Sequence, residues 1–400
     1  MKKLFSLLLI LILIPSLCGC GTIYSNYREV EQMLVIQTLG LDYEPDGVQV
    51  SLASAAGGGK EEGAKAPVCL SGKGSSISTA MERIKNYSRE EDLFFSHINH
   101  MILGEETAEQ GIDDVLSFIC RSPELRIDIP LYVVRDATAQ EIMTGVISGS
   151  KGVSELMQGV QTNLSYRGDG NAFTASDILQ SLEKHGSALA CAIEYAAAAE
   201  GKTTQSQGDT QSSQDESSSP EQESKTAAAA GYAILKDGKL CGYIDPEDAV
   251  GVGFLMNMVG ISDIVVKDKE GGPVTLEIDR GGADIRPIWA EDGSLQGLDI
   301  SASVSASVLD MGQHGELSDG EYADFLTSQL EKEVSRRIST VLQISRRLEA
   351  DFLGLATRVE LASPLEYHVM TESFIQRLPS LELLISVKGE LSHTNDIKDA

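Results

Sequence analysis

The sequence predicts an α+β fold of three subdomains, each built from mixed sheet and helices, with one long helix in the C-terminal subdomain. Three patterns lead to this prediction. Strand-like and amphipathic segments alternate without a steady βαβ period, which favours α+β over a doubly wound sheet. A polar, low-complexity stretch interrupts the chain near its middle. Late in the chain, a helix-capping pattern at Ser318 precedes an unusually long amphipathic segment.

The predicted organisation covers the whole chain. Residues 1–19 are predicted to be a lipoprotein signal peptide, 20–170 an N-terminal α+β domain, 171–308 a middle α+β domain and 309–400 a C-terminal α+β domain. An insertion at 196–230, rich in Ser, Gln and Ala, carries almost no large apolar residue. It cannot offset an ordering entropy of roughly 1 to 2 kcal/mol per residue, so we expect it to be disordered. Strand-like sequence on both sides indicates that it interrupts the middle domain.

The N-terminal region is predicted to open with two paired strands, 30–41 and 48–55, around the turn Glu44-Pro45-Asp46-Gly47. The next two helices are predicted because apolar residues recur in them at helical spacing. The elements that follow the paired strands are a helix at 76–89, a strand at 94–103, a helix at 105–121, a strand at 127–134 and a helix at 138–147.

The middle region is predicted to contain a helix capped at Ser176-Asp177, a strand at 188–195 and a hairpin around Asp237-Gly238. Further strands are predicted at 264–266, 274–278 and 298–308.

In the third region, Ser318-Asp319-Gly320-Glu321 is a capping-box pattern. About 35 residues of helix would make a rod of roughly 50 Å. We expect its apolar stripe to pack in the domain core, with a last strand at 381–387. Coiled-coil dimerisation is the weaker alternative because the spacing drifts after Ile338.

The N-terminus has the pattern of a lipoprotein export signal. A cationic start, Met1-Lys2-Lys3, is followed by an apolar run to Leu17 and then by Cys18-Gly19-Cys20. The run is about 14 residues, shorter than the roughly 20 that a spanning helix needs. Small Gly19 leaves room for a peptidase, whereas a cut at Cys18 would follow bulky Leu17. We therefore predict that the Cys20 thiol carries a diacylglyceryl group; an ordinary secretory signal is the alternative.

A diacylated Cys20 would supply two acyl chains, and stable membrane attachment needs two anchoring signals. The mature protein is therefore predicted to be tethered to a membrane and to face away from the cytoplasm. The formal net charge of −28 argues against nucleic acid as a partner, since such binding depends on Lys and Arg. The acidity is typical of a soluble surface, with cation binding as the alternative.

Four cysteines remain after the lipidation motif: Cys69, Cys120, Cys191 and Cys241. Outside the cytoplasm they permit three disulfide pairings, and free buried thiols are equally compatible with their apolar surroundings.

Catalytic signatures are scarce, and no catalytic residue, cofactor or metal ligand is predicted. The chain has no Gly-x-Ser-x-Gly elbow, His-Glu-x-x-His helix, phosphate loop or dinucleotide fingerprint. The glycines of Gly72-Lys73-Gly74-Ser75-Ser76 are misplaced for binding phosphate. His97 and His100 are predicted to lie on opposite faces of one strand, each as a satisfied structural histidine.

Several short segments then occur in a recognisable order along almost the entire chain. They are Cys20, Glu29-Val30-Glu31, Gly40-Leu41-Asp42, Gly72-Lys73-Gly74-Ser75-Ser76, Phe95-Ser96-His97, Ile102-Leu103-Gly104-Glu105-Glu106 with Ala108, Arg121-Ser122-Pro123-Glu124-Leu125-Arg126, 231–242 and Asp351-Phe352-Leu353-Gly354. The ordered set resembles the Ger(x)C family of spore-germination lipoproteins, the C subunits of nutrient germinant receptors. Two departures are Tyr27-Arg28, where members often have Trp-Asp, and the expanded insertion at 196–230.

The resemblance implies a protein with no known enzymatic activity, anchored through Cys20 on the outer face of the spore inner membrane or the cell membrane. Its implied partners are the integral-membrane A and B receptor subunits, and its implied role is in the response to small nutrients. We therefore expect a non-catalytic assembly subunit. The rival interpretations are a solute-binding lipoprotein with a pocket between domains, and an extracytoplasmic hydrolase.

Overall fold

The computed structural model describes residues 33–54, 66–87, 92–148, 152–167, 170–197, 225–310 and 320–392. The predicted signal peptide and Cys20 lie outside these residues, as does the stretch 198–224 of the predicted insertion. The described residues form two mixed sheets with helices packed against them. This arrangement confirms the predicted α+β fold.

The first sheet has nine strands in the order β3-β2-β1-β5-β6-β7-β8-β9, with β4 paired to β1. Its strands are β1 (Met33–Glu44), β2 (Gly47–Ser54), β3 (Cys69–Gly74), β4 (Asp92–Phe94), β5 (His100–Leu103), β6 (Leu131–Arg135), β7 (Ser187–Ala197), β8 (Lys225–Lys236) and β9 (Lys239–Ile244). The run β1-β5-β6-β7 is parallel. Both predicted hairpins, β1-β2 and β8-β9, are confirmed.

Helices cover both faces of this sheet. They are α1 (Ile77–Tyr87), α2 (Glu105–Gln110), α3 (Asp113–Arg121), α4 (Ala139–Ser148), α5 (Val153–Arg167) and α6 (Ala175–His185). Because side chains alternate along a strand, Met101 and Leu103 of β5 pack with α1, α2, α3 and α6, whereas Ile102 packs with α4 and α5. The parallel strands therefore lie buried between two helical layers.

The second sheet has the order β10-β11-β12-β13. Its strands are β10 (Ser262–Lys267), β11 (Pro273–Trp289), β12 (Leu295–Asp310) and β13 (Glu382–Ser392), and the helices around it are α7 (Pro246–Met256), α8 (Gly320–Leu348), α9 (Leu355–Ala362), α10 (Pro364–Val369) and α11 (Phe374–Arg377). Leu326, Leu330, Val334 and Ile338 of α8 are buried in its core. The apolar stripe of the long helix thus packs within the chain, as predicted.

Several predicted elements are interrupted in the structure. The predicted strand at 94–103 is two short strands separated by a turn that contains His97. The predicted helix at 105–121 is α2 and α3, because Gly111 adopts a φ of 129° and the amide of Ile112 donates instead to the hairpin carbonyl of Gly238 at 2.8 Å. The long helix has 29 residues and ends at Leu348, so it is shorter than predicted.

Other boundaries also move. The cap of α6 is Thr174 rather than Ser176, in a capping box with Asp177. Both ends of the predicted insertion form strand instead, because Ala196 and Ala197 of β7 pair with Thr226 and Lys225 of β8. Strand pairing also crosses the predicted boundaries at 170 and 308. The division into three domains stays a prediction, because strand pairing by itself does not define which parts of a chain fold as independent units.

Candidate functional site between α6 and α9

The carboxyl ends of β1 and β5 form the edge at which open α/β sheets usually bind ligands. Here the side chain of Asp42 occupies that position. Its Oδ1 accepts from the amide of Ala139 at 2.7 Å and its Oδ2 from that of Gln140 at 2.9 Å, at the start of α4. Burial raises the pKa of Asp42, and the two amide hydrogen bonds oppose the rise. The N-terminus of α4, a potential anion site, is therefore already filled by a carboxylate of the chain itself.

Neighbouring residues hold this closed edge together. A Cβ on Gly104 would collide with the Asp42 carboxylate, and one on Gly40 would lie 2.5 Å from Met143 Sδ. Glu105 accepts from the Tyr243 hydroxyl at 2.7 Å. Residues from two of the segments that carry the family resemblance thus meet here and have a structural role.

The segment Gly72-Lys73-Gly74-Ser75-Ser76 connects β3 to α1, and its residues serve packing and helix capping. A Cβ on Gly74 would collide with the backbone of Ala80 in α1, so this glycine permits close packing. Ser76 and Thr79 cap the helix reciprocally, each side chain accepting from the other's amide, at 2.9 and 3.2 Å. The glycines of this segment therefore serve the strand-to-helix turn.

The two histidines differ in environment. His97 lies exposed in the turn before β5, so the prediction that it shares a strand with His100 was wrong. His100 is buried, and burial lowers its pKa to about 4. Its Nδ1 has no hydrogen-bond partner among the described residues, so it is an interior histidine but not a satisfied one.

The four cysteines that follow the lipidation motif are all free thiols in the described part of the chain. Cys191 is fully buried, and burial raises its pKa to about 12. Cys120 and Cys241 are exposed, and Cys69 is half-buried with its pKa raised by burial to about 11. Of these four cysteines, only Cys191 is therefore a fully buried thiol.

A cavity of about 730 Å³ lies where α6, the end of α7 and the segment 352–361 meet. This volume is within the range of small-molecule sites. Its apolar lining comes from Phe173, Leu189, Met256, Met258, Phe352, Leu353 and Leu361. Charged and polar groups include Asp177, Lys184, His185, Thr357 and Arg358. The cavity therefore lies between α6, which packs on the first sheet, and the helices α7 and α9, which pack on the second sheet.

Asp351 lies behind one wall of this cavity and caps α9, which supplies Thr357, Arg358 and Leu361 to that wall. It is 2% exposed, and its two oxygens accept from the amides of Leu355 at 2.7 Å and Ala356 at 2.8 Å. Gly354 makes the turn possible with a φ of 67°. Burial raises the pKa of Asp351 to about 7, although these amides lower it. The motif Asp351-Phe352-Leu353-Gly354 is therefore a buried helix cap whose two apolar residues enter the core.

A hydroxyl, an imidazole and a carboxylate are in series at this wall. Thr357 Oγ1 lies 3.2 Å from His185 Nε2, and His185 Nδ1 lies 3.6 Å from Asp351 Oδ2. The second distance is too long for the hydrogen bond that fixes a general base in a catalytic triad. Asp351 is moreover engaged with two amides. The series links α6 to α9 across the boundary between the two sheets.

Sequence patterns missed this site. His185 is unremarkable in the sequence, and the cavity residues come from three separate segments, 161–189, 256–258 and 352–361. The one available signal was the Asp351–Gly354 segment.

Within the described ranges, no group of three or more His, Cys, Asp or Glu side chains could hold a metal ion. None of the helices described is both long and apolar enough to span a membrane.

Comparison with known proteins gives a consistent result along the chain. The family described as "Spore germination protein N-terminal domain" matches residues 26–195, and "Spore germination B3/ GerAC like, C-terminal" matches 230–395. The chain is 24% identical to spore germination protein KC of Bacillus subtilis (strain 168), over 97% of this chain and 95% of that protein. The crystal structure of the GerBC protein is similar with a TM-score of 0.55 and 16% identity, over 91% of this chain and 99% of that one.

The two family matches meet at the segment predicted as an insertion, and together they leave only short stretches of the chain unmatched. The GerBC likeness extends the agreement to the fold. The protein belongs to the Ger(x)C family of spore germination proteins.

Proposed function

We propose that the protein is a membrane-anchored, non-catalytic lipoprotein subunit of a spore germinant receptor, needed for the germination response to nutrients. The observation that carries this proposal is the ordered match to both family domains over 26–195 and 230–395. The first match begins six positions after Cys20, so the family domain follows the lipidation motif almost directly.

The anchor is a diacylglyceryl group on Cys20, which holds the domains on the extracytoplasmic face of the spore inner membrane or the cell membrane. Two acyl chains suffice for stable attachment because each buried CH₂ contributes about 0.8 kcal/mol. Thirteen residue steps separate Cys20 from Met33, where β1 begins. At roughly 3.5 Å per residue, this segment reaches at most about 45 Å. The folded body therefore works close to the bilayer.

The proposed partners are the integral-membrane A and B subunits, and the chain supplies folded surfaces to them rather than chemistry. Two observations support a non-catalytic role. The side chain of Asp42 fills the position at the carboxyl ends of β1 and β5, where a ligand would otherwise bind. In the series of hydroxyl, imidazole and carboxylate seen among the described residues at the cavity, His185 and Asp351 lack a hydrogen bond to each other.

Replacement of Cys20 by Ala tests the anchor, and Cys18→Ala is the matched control two positions away. We expect radiolabelled palmitate and membrane sedimentation in wild type and Cys18→Ala, and neither in Cys20→Ala. Equal palmitate incorporation in all three would rule the Cys20 anchor out.

Deletion of the gene tests the role. Mutant spores should lose the response to at least one nutrient, and complementation with wild type should restore it. Normal responses to every nutrient, in a strain that also lacks paralogues, would rule the role out.

A second candidate function is direct capture of a small solute by this lipoprotein. The observation that favours it is the cavity of about 730 Å³ between α6 and α9, which lies between the two sheet layers as that interpretation requires.

A further inference from the structure

We infer that the cavity between α6 and α9 binds a small organic carboxylate with an apolar body, and that Arg358 receives the carboxylate group. This inference goes beyond the receptor role and does not depend on it, since a receptor subunit can function with or without its own ligand.

Arg358 is a half-buried cation without a counter-ion. It lies on α9, and among the described residues its guanidinium has neither an ion pair nor a hydrogen bond. Burial lowers its pKa, and Asp284 and Asp351 act on it from beyond ion-pair distance. Asp284 already pairs with Arg286 at 2.7 Å.

Asp351 is also engaged, because both of its oxygens accept backbone amides at the start of α9. An arginine remains charged at neutral pH, and partial burial removes some of the water around its charge at a cost that a partner of opposite charge offsets. The planar guanidinium fork matches a carboxylate, with which it forms two parallel hydrogen bonds. The missing partner of Arg358 is therefore best supplied by a ligand carboxylate.

The charge of the cavity contrasts with that of the whole chain. The protein has 60 acidic residues and 32 Lys and Arg. The cavity lining instead contains Lys184 and Arg358 against one carboxylate, Asp177. Asp177 is committed to the cap of α6, where Oδ2 accepts from the amide of Thr174 at 2.9 Å and from its hydroxyl at 2.7 Å. An anion is thus favoured here, although most of the surface repels it.

The rest of the lining selects the body of the ligand. Leu353, Leu361, Phe173 and Met258 present apolar surface around the arginine. Met258 and Leu361 remain 41% and 75% exposed, so a ligand could still cover apolar area on them. Burial of such apolar area favours binding. The volume suits a compact molecule of small-molecule size rather than a macromolecule.

Calorimetric titration of the purified full chain in detergent micelles tests this inference. The probes are hexanoate, 4-methylpentanoate and 3-phenylpropanoate, with 4-methylpentanamide as the neutral analogue. We expect saturable binding of at least one carboxylate and none of the amide. Arg358→Gln should weaken binding about 10- to 100-fold, because it removes hydrogen bonds to a charged group.

Arg347→Gln is the matched control, since Arg347 is an exposed arginine of α8 outside the cavity lining. It should bind as wild type does. If Arg358→Gln is unfolded by circular dichroism, Arg358→Lys and the amide probe decide the outcome, and Lys should bind more weakly than Arg. The inference is overturned if all three carboxylates fail to saturate by ~10 mM. It is also overturned if the amide binds as tightly, or if the tested Arg358 variant binds as wild type does.

Discussion

Replacement of Asp351 by Asn should change how the stability of the protein depends on pH. Burial raises the pKa of Asp351 from its ordinary 3.8 to about 7 in the folded protein. The folded state therefore holds this proton more tightly than the unfolded state does. The resulting stabilisation is fully present below about pH 4 and is lost as the pH rises through about 7. Asn has a similar shape and does not titrate, so its contribution stays constant across this interval.

The magnitude follows from the shift. A difference of about 3 pKa units at 1.36 kcal/mol per unit corresponds to at most about 4 kcal/mol. The free energy of unfolding of the wild type, minus that of Asp351→Asn, should therefore fall by up to about 4 kcal/mol between pH 4 and pH 8. At pH 4 the wild type should be the more stable, because Asn leaves one of two capped amides without an acceptor.

Urea unfolding followed by the fluorescence of Trp289 measures this difference. Trp289 is the single tryptophan and packs against the core that contains Phe352 and Leu355. His100 acts in the opposite sense, because burial lowers its pKa to about 4 and the folded state loses stability as the pH falls towards that value. His100 is common to both proteins, so its effect cancels in the comparison.

Asp263→Asn is the matched control, since Asp263 is an exposed carboxylate on β10 of the second sheet. Its pH profile should run parallel to that of the wild type. A difference between wild type and Asp351→Asn that changes by less than about 1 kcal/mol between pH 4 and pH 8 would refute the reasoning.

Four other results are expected. Asp42→Ala should lower the free energy of unfolding by about 2 to 5 kcal/mol, because two amides at the start of α4 lose their acceptors; urea unfolding measures it. Gly74→Ala should destabilise the protein by about 1 to 3 kcal/mol through its collision with α1. Gly159→Ala, in a helix with open space around it, should instead stabilise by about 0.5 to 1 kcal/mol, and equal effects would contradict the packing argument. In native protein, iodoacetamide should modify exposed Cys120 within minutes but Cys191 only after unfolding, as peptide mass spectrometry can show.

Local signals in the sequence were sufficient where the determinant was local. Asp237 and Gly238 adopt φ values of 50° and 73°, which the hairpin turn requires, and the hairpin was predicted from that dipeptide. The apolar stripe of α8 was also predicted, because its periodicity extends over many turns.

Helices without an amphipathic pattern were missed. In α7, residues from Ala249 to Leu255 are all buried, so no polar face marks the helix. Its glycines also argue against a helix in isolation, yet Gly251 is needed because a Cβ there would lie 2.6 Å from the carbonyl oxygen of Arg337 in α8. Only the tertiary contact explains the residue.

The functional geometry depends on distant partners, which sequence patterns do not pair. Asp42 caps a helix whose first residue is 97 positions later. His185 meets Thr357 from 172 positions away. The family motifs marked Asp42 and the segment from Asp351 to Gly354, but not what either one contacts. The anchor at Cys20, by contrast, is argued from the sequence alone.

The receptor role itself is tested most directly by affinity purification through this protein from detergent-solubilised spore membranes. We predict that two multi-span membrane proteins are recovered with it in a constant ratio, and that they are absent when untagged spores are processed in parallel. Recovery of the tagged chain alone, from membranes in which multi-span proteins are efficiently solubilised, would contradict the proposed receptor subunit.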